Sequence, residues 1–176
     1  PFLNDPSPDD LRRQNDQVLQ ALSHWHHRAF GFVYVSPNHV DASLREIDRC
    51  VKNGPMVGVK LWVARRAADA DLDPIAARAA ALKAPILQHS WFKATGNLPG
   101  ESTPLDVVAL AKRHPTATLI CGHSGGDWQL GFRARFIPGD AGALVRNQRF
   151  ETLREIGNVA RETKAEFIVV AGDVFE

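Results

Sequence analysis

The sequence predicts an α/β fold with a parallel sheet, on three observations. Short apolar runs recur at 30–35, 57–62, 85–88 and 116–121. Their starts are spaced by roughly 27 to 31 residues with one amphipathic helical pattern between each pair, which is the rhythm of βα units. The runs end in polar groups, Lys60, His89 and His123 among them, and in such a sheet the C-terminal strand ends carry the functional groups. With 176 residues, 44% apolar and 23% charged, the chain can bury one real core.

Ser7-Pro8-Asp9-Asp10 has the residues of a helix start: Ser as N-cap, Pro at the first helical position, acids in the first turn. Leu11, Val18, Leu19, Leu22 and Trp25 then fall on one face of a helix to about residue 27. The strand at 30–35 is stopped by Ser36-Pro37. A second helix covers about 41–52, with Leu44, Ile47 and Val51 inward and Gly54 past its end. After 57–62 and a charged loop, Asp73-Pro74 starts a third helix with Ile75, Ala79 and Leu82 on one side. The strand at 85–88 leads to His89 and a loop flanked by Trp91 and Phe92. Thr103-Pro104 caps a fourth helix through Arg113; His114 suits the helix dipole and has no chemical role. The strand at 116–121 feeds Gly122-His123-Ser124-Gly125-Gly126-Asp127, where glycines permit a tight turn and close approach to a ligand. Beyond it the rhythm breaks. A long helix at about 144–163 precedes a fifth strand at 166–170, which ends Ala171-Gly172-Asp173.

Composition narrows the function. The net charge of +1, from 21 basic and 20 acidic side chains, argues against a protein that coats nucleic acid or an anionic membrane. No run approaches the roughly 18 apolar residues of a membrane helix, and no signal-peptide pattern is visible. Two cysteines, Cys50 and Cys121, argue against a disulfide framework and point to a reducing, cytoplasmic setting. The start at Pro1-Phe2-Leu3 without Met, and the stop at Glu176 just past an apolar run, read as a fragment. An unclosed parallel sheet has exposed edges, so aggregation or a homodimer is expected.

Two His and an Asp from separate strand ends, His89, His123 and Asp173, make a plausible shell for Zn²⁺ or a similar divalent metal. Such a metal lowers the pKa of bound water to about 7. His24 and His26 form a His-x-His pair, but on a helix residues two apart point away from each other, so they read as surface histidines. Asp69, Asp71 and Asp73 read as a solvated loop plus an N-cap. Arg133, Arg135, Arg146 and Arg149 read as solvated surface, with phosphate contact the alternative. Trp91 and Phe92 either line a substrate pocket or pack their own loop.

Several motifs, in this order and spacing, resemble the amidohydrolase-related family of metal-dependent TIM-barrel hydrolases, which includes decarboxylases. They are Phe30-Gly-Phe-Val-Tyr-Val-Ser-Pro37, Glu46-Ile-Asp-Arg-Cys50, Val57-Gly-Val-Lys-Leu61, Ala84-Pro-Ile-Leu-Gln-His89 and Ile120-Cys-Gly-His-Ser-Gly-Gly-Asp127. The resemblance spans about residues 15–128. It implies a barrel, a divalent metal (Zn or Mn), His89 as metal ligand, and His123 as a catalytic or second metal-site residue. The family's first-strand His-x-His has no counterpart, and helix-borne His24 and His26 do not replace it. From Asp127 onward, Asp127-Trp-Gln-Leu-Gly131 and Ala165-Glu-Phe-Ile-Val-Val-Ala-Gly-Asp-Val-Phe-Glu176 resemble the opening of a metallophosphoesterase of the SbcD-like DNA repair exonuclease type. That resemblance implies Asp127 as a metal ligand and Asp173 as a bridging one; Gln129 stands where many members carry His.

The fold expected is therefore a partial TIM-type (β/α) barrel over 1–126, with an appended metallophosphoesterase-like helix and strand over 127–176, the two joined near Asp127. The function expected is a metal-dependent hydrolase or decarboxylase acting on a small molecule through His89 and His123, with Asp173 as a possible stand-in for the barrel's last-strand carboxylate. One alternative is phosphodiester hydrolysis through Asp127 and Asp173, in which case nucleic acid is the partner. Another is an inactive hybrid with two incomplete sites.

Overall fold

The computed structural model describes residues 3–91 and 96–125. The first helix, α1 (Pro8–Trp25), opens with a capping box: Ser7 Oγ accepts from the Asp10 N–H and the Asp10 carboxylate accepts from the Ser7 N–H. Then follow β1 (Phe32–Val35), α2 (Val40–Ile47) with its π-helical continuation Asp48–Lys52, and β2 (Gly58–Leu61). The remaining elements are α3 (Asp73–Ala81), β3 (Ile86–Gln88), α4 (Pro104–Arg113), β4 (Leu119–Cys121) and a 3-10 turn, Gly122–Gly125. Thr103 and Asp106 repeat the capping box at α4.

Among the described residues the four strands are parallel and lie in chain order β1-β2-β3-β4, with one helix in each crossover. Sequential order is the arrangement of a (β/α) barrel wall; a doubly wound sheet would reverse direction at a switch point. Strand alternation gives the sheet two faces. The registers Val33↔Val59↔Ile86↔Leu119 and Val35↔Leu61 align apolar side chains on one face. These pack against Leu22, Ile47, Leu72, Ile75, Ala79, Val107 and Leu110 to form the core. The other face carries Tyr34, Lys60 and Leu87 in one row, with Trp62 and His89 just beyond the ends of β2 and β3.

The outer edge of β1 is not bare. Asn15 of α1 accepts from the Tyr34 N–H at 2.8 Å and donates to the Tyr34 carbonyl at 3.0 Å, so one side-chain amide takes the place of a neighbouring strand. Two residues on, the Ser43 hydroxyl accepts from the Ser36 N–H and donates to the Ser36 carbonyl. Asn15 also donates to Glu46 at 2.9 Å, and Arg49 grips the same carboxylate through two nitrogens. Burial alone would raise the Glu46 pKa, but these hydrogen bonds outweigh it and hold the carboxyl below its ordinary range. The Glu46–Cys50 motif is thus structural: it ties α2 to α1 and to the sheet edge. At Tyr34 and Ser36 the β1 edge, expected to be exposed, is capped by side chains.

Three other expectations are corrected. Trp25 is 55% exposed: it is the last residue of α1 and lies past the part of the helix that covers the sheet, where Leu11 and Leu22 are buried. Asp73 does not cap α3; its Oδ1 accepts from Arg113 Nε and His114 Nε2, each at 2.9 Å. His114 therefore has a specific partner and ties the end of α4 to the start of α3. The single helix expected over 41–52 is α-helical only to Ile47. The long helix and fifth strand expected at 144–170 lie outside the described residues. Among the described residues, no helix is long and apolar enough to cross a membrane.

Candidate functional site

The C-terminal ends of β2, β3 and β4 converge on a cluster of rings. His89 follows β3 directly, and its ring lies 4.2 Å between centroids from Trp62, just past β2. His123, in the turn after β4, meets His89 edge to face with centroids 4.9 Å apart at 85°. Trp91 closes the group, 4.1 Å from His123 and 6.0 Å from His89.

Two local features set this geometry. Gly122 packs so closely on β3 that an added Cβ would lie 2.9 Å from the Gln88 carbonyl oxygen and 3.3 Å from the His89 Cα. His123 has a φ of +54°, a left-handed conformation that is rare for non-glycine residues but several-fold enriched in His. This sparsely populated backbone state at a strand end turns the imidazole toward His89, and such states persist only where the surrounding structure over-determines them.

His89 is only 3% exposed. Burial lowers its pKa below the ordinary histidine range, outweighing the upward pull of the Glu101 carboxylate, so the ring is held neutral. Its Nε2 lies 2.8 Å from Glu101 Oε1. Its Nδ1 is buried and has no hydrogen-bond partner among the described residues. A buried polar atom without a partner is a rare and costly state in a folded chain.

Glu101, itself 1% exposed, comes from the loop between β3 and α4. Ser90 and Ser102 form an isolated parallel bridge, reinforced by the Trp91 N–H bonding to the Ser102 carbonyl at 2.8 Å. The Ser102 hydroxyl accepts from the Ala67 N–H and from Gln88 Nε2. Gly100, at φ +77°, passes the backbone so close that an added Cβ would sit 2.2 Å from the Val63 carbonyl oxygen. The second Glu101 oxygen accepts from the Leu98 N–H at 2.8 Å. The loop is thereby fixed on both sides of the carboxylate.

Lys60 shares the face of His89. It is 9% exposed, its Nζ stands 5.3 Å from the Trp62 ring centroid, and burial lowers its pKa to about 8. A cation beside aromatic faces is favourable there.

Of the four sequence-derived site residues, the structure brings His89 and His123 together; Asp127 and Asp173 lie outside the described residues, as do Phe92 and the four arginines. His24 and His26 lie at the far end of α1 and its cap. Among the described residues, no group of three or more His, Cys, Asp or Glu side chains is placed to hold a metal ion. Glu101 was not singled out from sequence. An acid between Gly and Ser just ahead of a helix cap looks like solvated loop, and nothing in the string reveals that the loop doubles back under His89.

Among solved structures, the described architecture is similar to 2,6-dihydroxybenzoate decarboxylase from Rhizobium, with a TM-score of 0.55 at 19% identity over 67% of this chain and 46% of that one. It is also similar to a Staphylococcus aureus protein assigned to the amidohydrolases, with a TM-score of 0.54 at 20% identity over 67% of this chain and 48% of that one. The chain spans about half the length of each of these structures. At such identities the likeness establishes the fold, a partial (β/α) barrel. No curated protein sequence matches the chain. The model of the family described as "Amidohydrolase" matches residues 6–167, a span that includes all four strands and both strand-end histidines. With most of its length matched, the chain belongs to the amidohydrolase family.

Proposed function

We propose that the strand-end cluster is the metal-binding part of a hydrolase or decarboxylase site acting on a small, carboxylate-bearing molecule. One observation carries the reading: His89, held neutral and buried, has its Nδ1 without a partner among the described residues, beside the ring of His123. An imidazole nitrogen in that state is a ligand for a divalent metal of the zinc or manganese kind. His89 and His123 fit as part of a ligand set that takes further donors from elsewhere. A metal bound there supplies Lewis acidity toward a carbonyl or carboxylate oxygen.

The chain's own residues divide the remaining work. His89 presents its lone pair and, being neutral, needs no deprotonation to bind. His123, half-buried and beside it, either completes the ligand pair or exchanges a proton with the substrate. Lys60 places a positive charge on the same face, suited to a carboxylate, while Trp62 and Trp91 offer planar walls that exclude water and stack on an unsaturated substrate. The decarboxylation of 2,6-dihydroxybenzoate by the Rhizobium relative is chemistry of this kind.

The test is metal content of the full chain purified with Zn²⁺ or Mn²⁺, measured by mass spectrometry of the ion. Stoichiometric metal in the parent is expected, lost in His89→Ala and retained in Asp127→Ala. Loss in Asp127→Ala alone would move the assignment to the phosphodiesterase alternative, and a parent without metal would end the proposal.

A further inference from the structure

We infer that Glu101 is a positioning residue that locks His89 in the tautomer with hydrogen on Nε2, so that Nδ1 is the atom His89 offers. The inference deepens the metal-site reading and rests on it for its purpose, although the tautomer itself does not depend on a metal.

The buried Nδ1 of His89 meets no acceptor among the described residues, so the ring carries one N–H and one lone pair. Glu101 Oε1 lies 2.8 Å from Nε2, and a carboxylate only accepts. Hydrogen on Nε2 therefore makes a charge-assisted bond, whereas hydrogen on Nδ1 would set two lone pairs against each other across that distance. The difference is amplified because both side chains are almost fully buried, where hydrogen bonds are electrostatically stronger. Nδ1 is left bare, in agreement with its lack of a partner among the described residues.

Glu101 is built for this task. The bridge Ser90↔Ser102, the Ser102 hydroxyl anchored to Ala67 and Gln88, and the tight passage of Gly100 past Val63 fix the loop around it. The Leu98 N–H holds its other oxygen. One carboxylate oxygen serves the loop and the other serves His89. A carboxylate that fixes the far nitrogen of a ligating histidine orients the ring and raises its basicity, and losing such a partner weakens metal binding roughly 10- to 100-fold.

The experiment uses the full chain with ¹⁵N-labelled histidine, treated with EDTA, and long-range ¹H–¹⁵N correlation to read each ring's tautomer. His89 is assigned by the signals lost in His89→Gln. Protonated Nε2 and bare Nδ1 are expected in the parent. In Glu101→Gln the Leu98 N–H claims the amide oxygen and the NH₂ faces His89, so the ring proton is expected to move to Nδ1. Glu101→Ala is expected to mix the tautomers, and in both variants Zn²⁺ affinity, read by competition with a chelator, is expected to fall roughly 10- to 100-fold. A parent ring protonated on Nδ1 overturns the inference, as does an unchanged tautomer in folded Glu101→Ala. Where Glu101→Ala does not fold, the parent and Glu101→Gln spectra decide, and a Glu101→Gln ring still protonated on Nε2 alone overturns it. The expected tautomer without Zn²⁺ binding would support the clamp and end the metal reading. Zn²⁺ binding with the opposite tautomer would do the reverse.

Discussion

The two faces of the sheet are both buried, for opposite physical reasons. On the helix side, Val33, Val59, Leu61 and Ile86 are removed from water by side chains of their own kind, and each contributes stability in proportion to the apolar area it loses. On the other side, Tyr34, Lys60 and His89 are almost as deeply buried, yet desolvation shifts the titration of all three against their charged forms. One face stabilises the fold; the other is tolerated by it. A sheet that spends burial on a lysine and a lone imidazole nitrogen marks the face where chemistry is kept.

The largest expected effect breaks the helix side. Ile86→Ala removes a fully buried side chain from the middle of the core and is expected to cost about 2 to 5 kcal/mol in urea unfolding. Metal bound per folded chain is expected to be unchanged. Equal loss of both would mean that the faces are not separable.

The opposite face gives the opposite sign. The folded chain gives up the Lys60 proton near pH 8, while an unfolded lysine holds it to about 10.5. Between those values the unfolded state binds more protons, so stability rises with pH across that window and is flat below it. Lys60→Met is expected to stabilise the chain at pH 7 by on the order of 2 kcal/mol and to abolish that rise. A slope that survives the substitution would assign it to another group.

A smaller effect sits at the seam between strands. Gly122→Ala places a Cβ against the Gln88 carbonyl and is expected to cost about 1 to 2 kcal/mol. Because it pushes β4 away from His89, it is expected to weaken Zn²⁺ binding more than its loss of stability implies. The smallest effect is Trp25→Gln, expected within about 0.5 kcal/mol of the parent because the ring is solvent-facing.

The fold was legible because its signals are local. Ser7 and Thr103 announce helix starts by their own side chains, and the apolar runs mark β1 to β4 to within a few residues. His89 and His123 were legible as strand ends, since position along a βα unit fixes the rim. Three things were not. Trp25 continues the apolar spacing of α1, and only the extent of the sheet beneath decides that it is exposed. Asp73 has the residue type of a cap, but Arg113 and His114, distant in sequence, claim it. Glu101 reaches His89 only through a loop whose path depends on Ser102 meeting Ala67 and Gln88, contacts that no spacing encodes.

The amide of Asn15 and the hydroxyl of Ser43, which occupy the open side of β1, give the sheet a direction of growth. On that flank the backbone groups of Tyr34 and Ser36 are already satisfied, so a strand added there would first have to displace both side chains.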